Sequence, residues 1–520
     1  MGAVIKTSGL VGLLTGAVAL GVAELAAAVT GPNGAPVVAV GETAINLTPV
    51  PVKEFAIAHF GTHDKEALVT GIVVLLAAFA AGIGVLAVRR LAYGLAALAV
   101  FAAVGVAAAV SLPGATGSDA VPTLVGAAAA TVTLVLLVRT VRRVSRPQSA
   151  EAADQPAELA DQPAGGAGTD RRRFLVVGAG AAALGVAAGG LGNALLGRFS
   201  IAPGQVRLPG PAVPAVAVPA GADFRIPGLT PFRTSNASFY RVDTDLVLPQ
   251  VSPESWTLRI DGMVDTQLEI TFAELLKMPL TEADITLVCV SNEVGGTYNG
   301  NARWLGVPLA GLLRRAGVRA GADQVLSAAT DGMTISTPVA TIMDGRNALL
   351  AVGMNGQPLP VAHGFPARML VPGLYGYVSA TKWVTRLTLT TFARQRAYWT
   401  QRGYAAQAPI KTESRIDVPK PLAQVKAGRI AVAGMAWAPA TGIAAVEVSV
   451  DSGPWQRARL AAADGIDTWR QWMWAWDARP GLHQLQVRAT DNSGVTQTPR
   501  RVQPVPNGAS GWDSVVVTVT

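Results

Sequence analysis

The chain has 520 residues, 50% of them hydrophobic and only 15% charged, and its formal net charge is +8. Ordinary globular domains are about one-quarter charged, so this composition excludes a wholly soluble chain and places part of it in lipid. The sequence contains no Lys/Arg tract with interleaved aromatic residues, which argues against a nucleic-acid partner.

Five apolar stretches in the first part of the chain each approach the ~20 residues that a helix needs to cross the hydrocarbon core. They cover about residues 8–29, 67–88, 91–110, 121–138 and 174–196. The first four predict an all-α transmembrane bundle, which we delimit as a four-span membrane domain over residues 1–146.

Arginines flank these stretches unevenly. Arg89 and Arg90 follow the second stretch, a cluster over 139–146 follows the fourth, and a cluster over 171–173 precedes the fifth. All three clusters fall on one side if the spans alternate, and that side is predicted to be the cytoplasm because cytoplasmic loops are enriched in Lys and Arg. We therefore expect a multi-pass protein of the cell membrane, with everything after about residue 197 outside the cytoplasm.

The fifth stretch, within residues 171–197, has two interpretations. Its sequence DRRRFLVVGAGAAALGVAAGG resembles a twin-arginine signal anchor, and an ordinary span with basic flanks accounts for the same residues. Both interpretations give the same topology. The preceding segment 147–170 has too few apolar residues to pack and predicts a flexible cytoplasmic linker, whereas the Pro-rich segment 198–225 predicts an extended stalk.

The remaining sequence divides into two predicted domains. Residues 226–419 mix alternating segments such as SWTLRIDGMV with helical ones such as TFAELLKMP, which predicts an α+β domain. Residues 420–520 alternate with a period of two and are interrupted by Ser-Gly, Pro-Gly and Asn-Ser-Gly turns. This second pattern predicts an all-β sandwich of immunoglobulin-like size.

Cys289 is the only cysteine in the sequence, and it lies in the apolar run ITLVCVSNEVGG. A lone cysteine forms no intramolecular disulfide, and the C-x-x-C pattern of zinc and redox sites is absent. Inert packing, a nucleophile and a single thiolate ligand to a soft metal remain as alternatives.

A loop rich in Gly and Pro over residues 356–384 contains three basic side chains among apolar ones: His363, Arg368 and Lys382. Glycine and proline at this density predict a backbone that closely approaches another group. Arg368 and Lys382 favour an anionic group there, most simply a phosphate, and a buried loop with satisfied polar groups is the alternative.

Three motifs together resemble the sulfite oxidase family of molybdopterin-dependent oxidoreductases. These are ITLVCVSN, GNARWLGVPLAGLL and the run HGFPAR followed by VPG and KW. The resemblance covers about residues 226–520 and implies an α+β molybdopterin-binding domain of sulfite oxidase type, followed by that family's immunoglobulin-like dimerisation domain.

The resemblance implies one molybdenum-molybdopterin cofactor per chain, with Cys289 as the only protein ligand of the metal. A soft thiolate suits a metal already bound by sulfur. Positions that match cofactor-binding residues of the family are Asn236, Phe239, Tyr240, Arg241, Asp331, His363, Arg368, Thr381 and Lys382. Positions that match residues of the reacting centre are Cys289, Arg241, Trp304 and Tyr404.

Two departures from the family pattern bear on the substrate. Sulfite-oxidising members follow the cysteine with an arginine pair, where this chain has Asn292, Glu293 and Val294, and they carry a further arginine where this chain reads PATGIAAVEV. A sulfite dianion needs several cations in its pocket. We therefore expect oxygen-atom transfer on a sulfoxide or another S- or N-oxide, as in the periplasmic sulfoxide reductase branch that this chain resembles near its cysteine.

Two other functions remain as alternatives: a sulfite dehydrogenase, and a non-catalytic cofactor-binding assembly module. The sequence has no C-x-x-C-H motif and its predicted spans contain no histidine, so no haem is expected in this chain. Electrons are expected to pass to or from a separate partner, a membrane cytochrome or a quinone-linked protein. The resemblance of the C-terminal sandwich to a dimerisation domain is compatible with a homodimer.

Overall fold

A computed structural model describes residues 2–49, 52, 55, 59, 64–113, 115–144 and 166–520. The chain forms two compact units. The first comprises residues 1–200 and 244–248, and the second comprises residues 201–243 and 249–520.

The first unit is helical. Its helices are α1 (Gly2–Thr30), α2 (Pro36–Leu47), α3 (Asp64–Arg89), α4 (Leu91–Ser111), α5 (Val121–Val144) and α6 (Gly166–Leu196). Within the described residues, five segments are long and apolar enough to cross a membrane: Thr7–Thr30, Lys65–Arg89, Leu91–Ser111, Gly117–Arg143 and Arg172–Leu196. The five predicted apolar helices are thereby confirmed by length and composition.

Close contact between these helices depends on small residues. A Cβ atom added to Gly21 of α1 would collide with the carbonyl group of Gly185 of α6, and one added to Gly84 of α3 would collide with Gly12 of α1. Glycines at such crossings let helix backbones approach closely, which is how helices pack where no hydrophobic effect drives them together.

The predicted linker over 147–170 lies partly outside the described residues, since residues 145–165 are not described. Its last residues, from Gly166 onward, belong to α6.

Two sheets form the first half of the second unit. The first sheet has the strand order β2-β1-β10-β5-β6. Its strands are β1 (Thr257–Gly262), β2 (Leu268–Thr271), β5 (Gln324–Ala329), β6 (Thr334–Pro338) and β10 (Val384–Thr390). Short helices in this half are α7 (Phe272–Leu275), α8 (Leu309–Ala316) and α9 (Val339–Met343).

The second sheet has the order β3-β4-β7-β8, with β9 paired to β7. Its strands are β3 (Thr281–Val288), β4 (Asn299–Pro308), β7 (Leu349–Met354), β8 (Gln357–Pro358) and β9 (Arg368–Leu370). Strand β7 is buried along its whole length, and β3 is buried from Ala283 to its end. Apolar runs of this kind form strands that are covered on both faces.

The C-terminal part is β-rich and contains two further sheets around one apolar core. One sheet consists of β11 (Glu413–Val418), β13 (Gly428–Trp437), β17 (Arg470–Ala478) and β16 (Arg459–Leu460). The other consists of β12 (Gln424–Val425), β19 (Asp513–Val519), β18 (Gly481–Asp491), β14 (Ile443–Val450) and β15 (Gln456–Arg457). The first of these strands begins at Glu413, before the predicted domain start at 420.

Alternation along β18 positions this core. Leu485, Val487 and Ala489 are buried, while the residues between them are more exposed, because successive side chains on a strand point to opposite faces. Trp472 and Trp476 of β17 are buried in the same core, so this aromatic pair is structural.

Part of the segment predicted as a stalk, 198–225, packs on the second unit. Val213 forms a bridge to Thr281 at the start of β3, and Ala212 donates a backbone hydrogen bond to the carbonyl oxygen of Leu280 at 2.8 Å. The backbone amide of Phe224 donates to Oε1 of Gln471 at 2.7 Å. These hydrogen bonds tie both ends of the segment 212–224 to the unit.

Glu413, the first residue of β11, is a buried carboxyl group that is 3% exposed. Burial raises its pKa to about 8, the nearby Asp513 carboxyl raises it as well, and Lys411 opposes the rise. A carboxyl group whose pKa is higher in the folded than in the unfolded state stabilises the fold below its unfolded pKa. That contribution is lost as the pH rises through the folded value.

We therefore expect Glu413→Gln to be about as stable as the wild type at pH 5 and more stable at pH 9, by on the order of 2 kcal/mol. The measurement is thermal unfolding of the detergent-solubilised full chain followed by tryptophan fluorescence, because all 11 tryptophans lie at or after Trp256 in the second unit. Glu269→Gln, at an exposed site, is the matched control and should show no such pH-dependent gain. An equal stability difference at both pH values would contradict the assignment.

Candidate active site

Cys289 follows directly after β3 and is 8% exposed. Its backbone amide donates to the carbonyl oxygen of Tyr298 at 2.9 Å, and its own carbonyl oxygen accepts from the amide of Asn292 at 3.1 Å. The side-chain oxygen of Asn292 in turn accepts from the amide of Tyr298 at 2.8 Å. The loop between β3 and β4 is therefore closed by three hydrogen bonds around the cysteine.

The thiol itself is held in the protonated form. Burial raises the pKa of the Cys289 thiol, and hydrogen bonds from the backbone and side chain of Ser291 oppose the rise. A reactive nucleophile needs a lowered thiol pKa, so this environment does not suit that role. Among the described residues, no group of three or more His, Cys, Asp or Glu side chains could hold a metal ion. A metal bound here would need most of its ligands from a cofactor.

The three basic residues of the Gly/Pro-rich loop come together in the structure. His363 and Arg368 are 5% and 6% exposed, and Nη1 of Arg368 donates to the carbonyl oxygen of His363 at 3.1 Å. Nζ of Lys382 donates to Oδ2 of Asp243 at 2.8 Å and lies 4.3 Å from the centre of the Trp383 ring. We call His363, Arg368 and Lys382 the basic cluster.

Burial and mutual repulsion lower the pKa values of the basic cluster. Burial, followed by the charge of Arg368, lowers the pKa of His363 to about 4. Burial lowers the pKa of Arg368 to about 10. Burial also lowers the pKa of Lys382 to about 8, which Asp243 opposes. At neutral pH the cluster therefore carries two positive charges and a neutral imidazole.

The tautomer of His363 follows from its partner. Nε2 of His363 lies 3.0 Å from the carbonyl oxygen of Asn236. Because a carbonyl oxygen only accepts, Nε2 carries the proton and Nδ1 presents a lone pair. The side chain of Asn236 is also held, since its Nδ2 donates to the carbonyl oxygen of Met354 and its Oδ1 accepts from Asn355 at 2.8 Å.

Aromatic side chains line the space beside the basic cluster. The ring of Phe239 stacks on Tyr240 at 5.2 Å and meets Trp304 and His363 edge-on at 5.7 and 5.5 Å. The guanidinium carbon of Arg368 lies 5.2 Å from the centre of the Trp304 ring. These flat surfaces and the buried cations suit a planar ring system that carries a negatively charged group.

Tyr240 connects the cysteine with the basic cluster. Burial raises the pKa of its hydroxyl group, a thiolate at Cys289 raises it further, and Arg368 opposes the rise. A Cβ atom added to Gly376 would lie 3.8 Å from both the Tyr240 hydroxyl and the carbonyl oxygen of Val288. Tyr240 therefore lies between the end of β3 and the basic cluster.

Two further predicted residues lie at the edge of this site. Thr381 is 1% exposed, and its hydroxyl group lies 2.5 Å from that of Ser327. The carboxylate of Asp331 accepts from the amide of Met333 within its own turn at 2.9 Å. The adjacent amide of Thr330 donates to the carbonyl oxygen of Trp383 at 3.1 Å, which places the turn beside the basic cluster.

Arg241 and Tyr404 have other neighbours. Nε of Arg241 donates to Oδ2 of Asp243 at 2.6 Å, so Arg241 and Lys382 share one carboxylate. The ring of Tyr404 meets the rings of Tyr377 and Trp399 at 5.5 and 5.1 Å. Tyr404 thus belongs to an aromatic group over residues 377–404.

The Arg-Trp pair on β4 divides between two faces. Trp304 faces Phe239 and Arg368, whereas Arg303 points away and its Nη2 donates to Oδ2 of Asp284 at 2.5 Å. Adjacent residues on a strand point to opposite faces, so only Trp304 reaches the site.

Sequence reasoning missed Asp243 and Asn355. Asp243 pairs with two cations of the site, and Asn355 holds Asn236 while adopting a left-handed backbone with φ of 53°. The Asn-Gly dipeptide at 355–356 is a turn signal that could have indicated Asn355. No local signal marks Asp243.

Comparisons with known proteins identify the family. The family model described as "Oxidoreductase molybdopterin binding domain" matches residues 245–399. The chain is 30% identical over 324 residues to mitochondrial sulfite oxidase of Mus musculus, covering 53% of this chain and 58% of that protein. It is 32% identical over 149 residues to the uncharacterized oxidoreductase YuiH of Bacillus subtilis (strain 168), covering 29% of this chain and 72% of that protein.

A solved structure is similar as well. The sulfane dehydrogenase SoxCD from Paracoccus pantotrophus aligns with a TM-score of 0.50 and 25% identity, over 56% of this chain and 84% of that chain. The chain spans little more than half the length of the mouse relative, 58%. The second unit thus contains a molybdopterin-binding domain of sulfite oxidase type. The chain belongs to the sulfite oxidase family of molybdopterin-dependent oxidoreductases.

The residues present fit the cofactor that this family implies. Nε of Arg368 is buried and has no hydrogen-bond partner among the described residues. An anionic group would satisfy this donor and offset the charges of the basic cluster. The single thiol of Cys289 supplies a sulfur donor of the kind that a soft metal prefers.

Anion binding to the basic cluster should depend on the charge of Lys382. Because its pKa is about 8, Lys382 is protonated below that pH and neutral above it. We expect sulfate to bind the cofactor-free full chain about tenfold more weakly at pH 9.5 than at pH 6.5, because one of the cations is lost. Isothermal titration calorimetry on protein from cells that cannot synthesise the pterin provides the measurement.

The matched variants are Lys382→Met and Lys420→Met, since Lys420 is exposed. Lys382→Met should bind sulfate weakly at both pH values, and Lys420→Met should behave as the wild type. Wild-type binding that is independent of pH would refute the role of Lys382.

Proposed function

We propose that this chain is a membrane-anchored, extracytoplasmic oxidoreductase that transfers an oxygen atom to or from a small substrate at a molybdenum centre. The observation that carries the proposal is the buried, single Cys289 beside a basic cluster with an excess of positive charge. The family relationship supports the reaction class.

In this proposal Cys289 binds the metal. Arg368, Lys382 and Thr381 hold the phosphate of the pterin cofactor, while Asn236, Phe239, Tyr240, Arg241, Asp331 and His363 orient its rings. Trp304 and Tyr404 shape the substrate side of the site. When bound, the cofactor supplies the two-electron redox chemistry, and the protein positions it and excludes water.

His363 and Tyr240 act as fixed hydrogen-bonding groups in this arrangement. Their shifted pKa values keep both side chains neutral at pH 7. His363 keeps its proton on Nε2, so Nδ1 would accept a hydrogen bond from an N–H group of the bound cofactor. Neutral partners do not add to the positive charge already present on Arg368 and Lys382.

The charges next to Cys289 favour a neutral substrate. Glu293 is exposed in the loop after the cysteine, and the side chain of Asn292 is 2% exposed and bonded within the loop. Arg303 is paired with Asp284 and Arg241 with Asp243. Because we assign the charges of Arg368 and Lys382 to the phosphate of the cofactor, few cations remain for a doubly charged sulfite, and we propose a sulfoxide or another S- or N-oxide as the substrate.

A sulfite dehydrogenase is the second candidate. The relative from Mus musculus is named a sulfite oxidase and aligns over 324 residues. We propose that, in either case, electrons pass to or from a separate membrane cytochrome or quinone-linked protein. The C-terminal sheets are proposed to form the immunoglobulin-like domain through which two chains associate.

One contact in the first unit supports the proposed topology. Nη2 of Arg142 on α5 donates to the carbonyl oxygen of Ala87 in the last turn of α3 at 3.1 Å. An arginine that caps the C-terminal carbonyl groups of a neighbouring helix is favourable in charge. The contact keeps the arginine clusters after α3 and α5 at the same end of the helices, as a shared cytoplasmic side requires.

Elemental analysis tests the cofactor assignment. We expect ~1 molybdenum per wild-type chain, and loss of oxidoreductase activity in Cys289→Ala because no other thiolate replaces the ligand. Ser255→Ala, at an exposed site outside the cysteine loop, is the control and should retain both metal and activity. A metal-free wild-type protein from molybdate-fed cells would contradict the assignment of this chain as a molybdenum enzyme.

Steady-state kinetics with an artificial dye donor or acceptor test the substrate. Wild-type protein should reduce sulfoxides measurably and oxidise sulfite weakly. Replacing Glu293 by Arg should lower the KM for sulfite by about tenfold, because it exchanges a repelling charge for an attracting one. Glu293→Gln should have a smaller effect, and efficient sulfite oxidation by the wild type would favour the second candidate.

A further inference from the structure

Arg415, the third residue of β11, is 3% exposed and makes four side-chain hydrogen bonds. Its Nε donates to Oδ1 of Asp417 at 2.8 Å, and its Nη2 donates to the hydroxyl group of Thr230 at 3.1 Å. Its Nη1 donates to the carbonyl oxygen of Gly296 at 2.9 Å and to Oδ1 of Asn299 at 2.5 Å. The guanidinium group thus joins the C-terminal sheets to the loop that follows Cys289.

The two acceptors on Nη1 lie where this loop ends. Asn299 is the first residue of β4 and pairs with Val288, the residue before Cys289. The amide of Gly296 donates to the carbonyl oxygen of Glu293 at 2.8 Å. Tyr298, between the two acceptors, accepts the hydrogen bond from the amide of Cys289. Arg415 is therefore linked to the backbone of Cys289 through Asn299 and its neighbour Tyr298.

A second element of the C-terminal sheets, β19, contacts the same loop through its first residue, Asp513. Gly295 has a φ of 79°, and a Cβ atom added there would lie 2.5 Å from Oδ1 of Asp513. The other oxygen of Asp513 accepts from the amide of Ile416, next to Arg415, at 2.8 Å. A larger side chain at this position would require movement of the loop or of the Asp513 side chain.

The surroundings of Arg415 leave its guanidinium group no freedom. Asp417 balances its charge, and the rings of Trp437 and Trp469 each lie 5.8 Å from its central carbon. A planar guanidinium with several fixed donors sets the positions of its acceptors, which a flexible lysine ammonium does not.

We infer that Arg415 is a positioning residue of the active site, which holds the loop 290–298 so that Cys289 is presented to the cofactor in one place. The role of the loop as a metal-binding element rests on the function proposed above. The same contact makes the cysteine site dependent on the C-terminal sheets, which contribute no side chain to the basic cluster.

The reactivity of Cys289 measures this role without any cofactor. The chain has one cysteine, so a maleimide reports on it alone. We expect Arg415→Lys to raise the labelling rate of the cofactor-free full chain in detergent by about tenfold, because the loop opens locally once the fixed donors are lost. In molybdate-fed cells the same variant should contain less molybdenum per chain than the wild type.

Arg470→Lys is the matched control. Arg470 also lies in the C-terminal sheets, but it donates to the carbonyl oxygens of Ala461 and Ile443, both outside the cysteine loop. It should label at the wild-type rate even where its melting temperature falls. Comparison of the two variants thus distinguishes a general loss of stability from a release of the cysteine loop.

Asn299→Ala removes the acceptor of the same contact. It provides the test if Arg415→Lys does not fold. Its labelling rate should rise as well, because Nη1 of Arg415 loses an acceptor. Wild-type labelling rates in the folded variants would overturn the inference. A wild-type protein without molybdenum would instead contradict the proposed function, and the labelling rates would still decide the role of Arg415.

Discussion

The candidate site depends on positive charge that is largely buried with too few acids to balance it. Arg368 is buried, the Lys382 side chain is only 13% exposed, and Asp243 serves both Lys382 and Arg241. Burying an unpaired charge is unfavourable, so a fold that keeps these residues together is stabilised by any anion that joins them. The end of β3, the segment around Phe239 and the loop before β9 all converge on this unbalanced group.

The sequence predicted the features that local pattern encodes. Apolar stretches of membrane length are helices in the structure, and period-two alternation marks strands such as β18, because burial of one face acts on residues that are close in sequence. The basic cluster was also predictable, since His363, Arg368 and Lys382 occupy one Gly/Pro-rich segment, although the structure places Arg368 at the start of β9 rather than in a loop. The family relationship of the chain, which is confirmed, was predicted from several motifs in order along the sequence rather than from any single residue.

Contacts between distant parts of the chain were not predictable in this way. Asp243 is an ordinary surface residue by its sequence neighbourhood, and only the fold brings it to Lys382. The opposite orientations of Arg303 and Trp304 follow from the pleat of β4, which the motif GNARWLGVPLAGLL alone does not reveal. Asn355 is visible in the sequence as an Asn-Gly turn, but its contacts with Asn236 and Arg303 join distant segments and were not predictable.

The hydrogen bonds from Arg415 impose an order on biosynthesis. Cys289 leaves the ribosome well before Arg415. Asp513, whose side chain lies against Gly295 of the cysteine loop, follows more than 200 residues after the cysteine. A chain made from its N-terminus folds its domains in that direction, yet here an early loop acquires its shape from late strands. Partly synthesised chains therefore have an unfinished cysteine loop, and a cofactor can find a completed binding site only after the C-terminal sheets have closed.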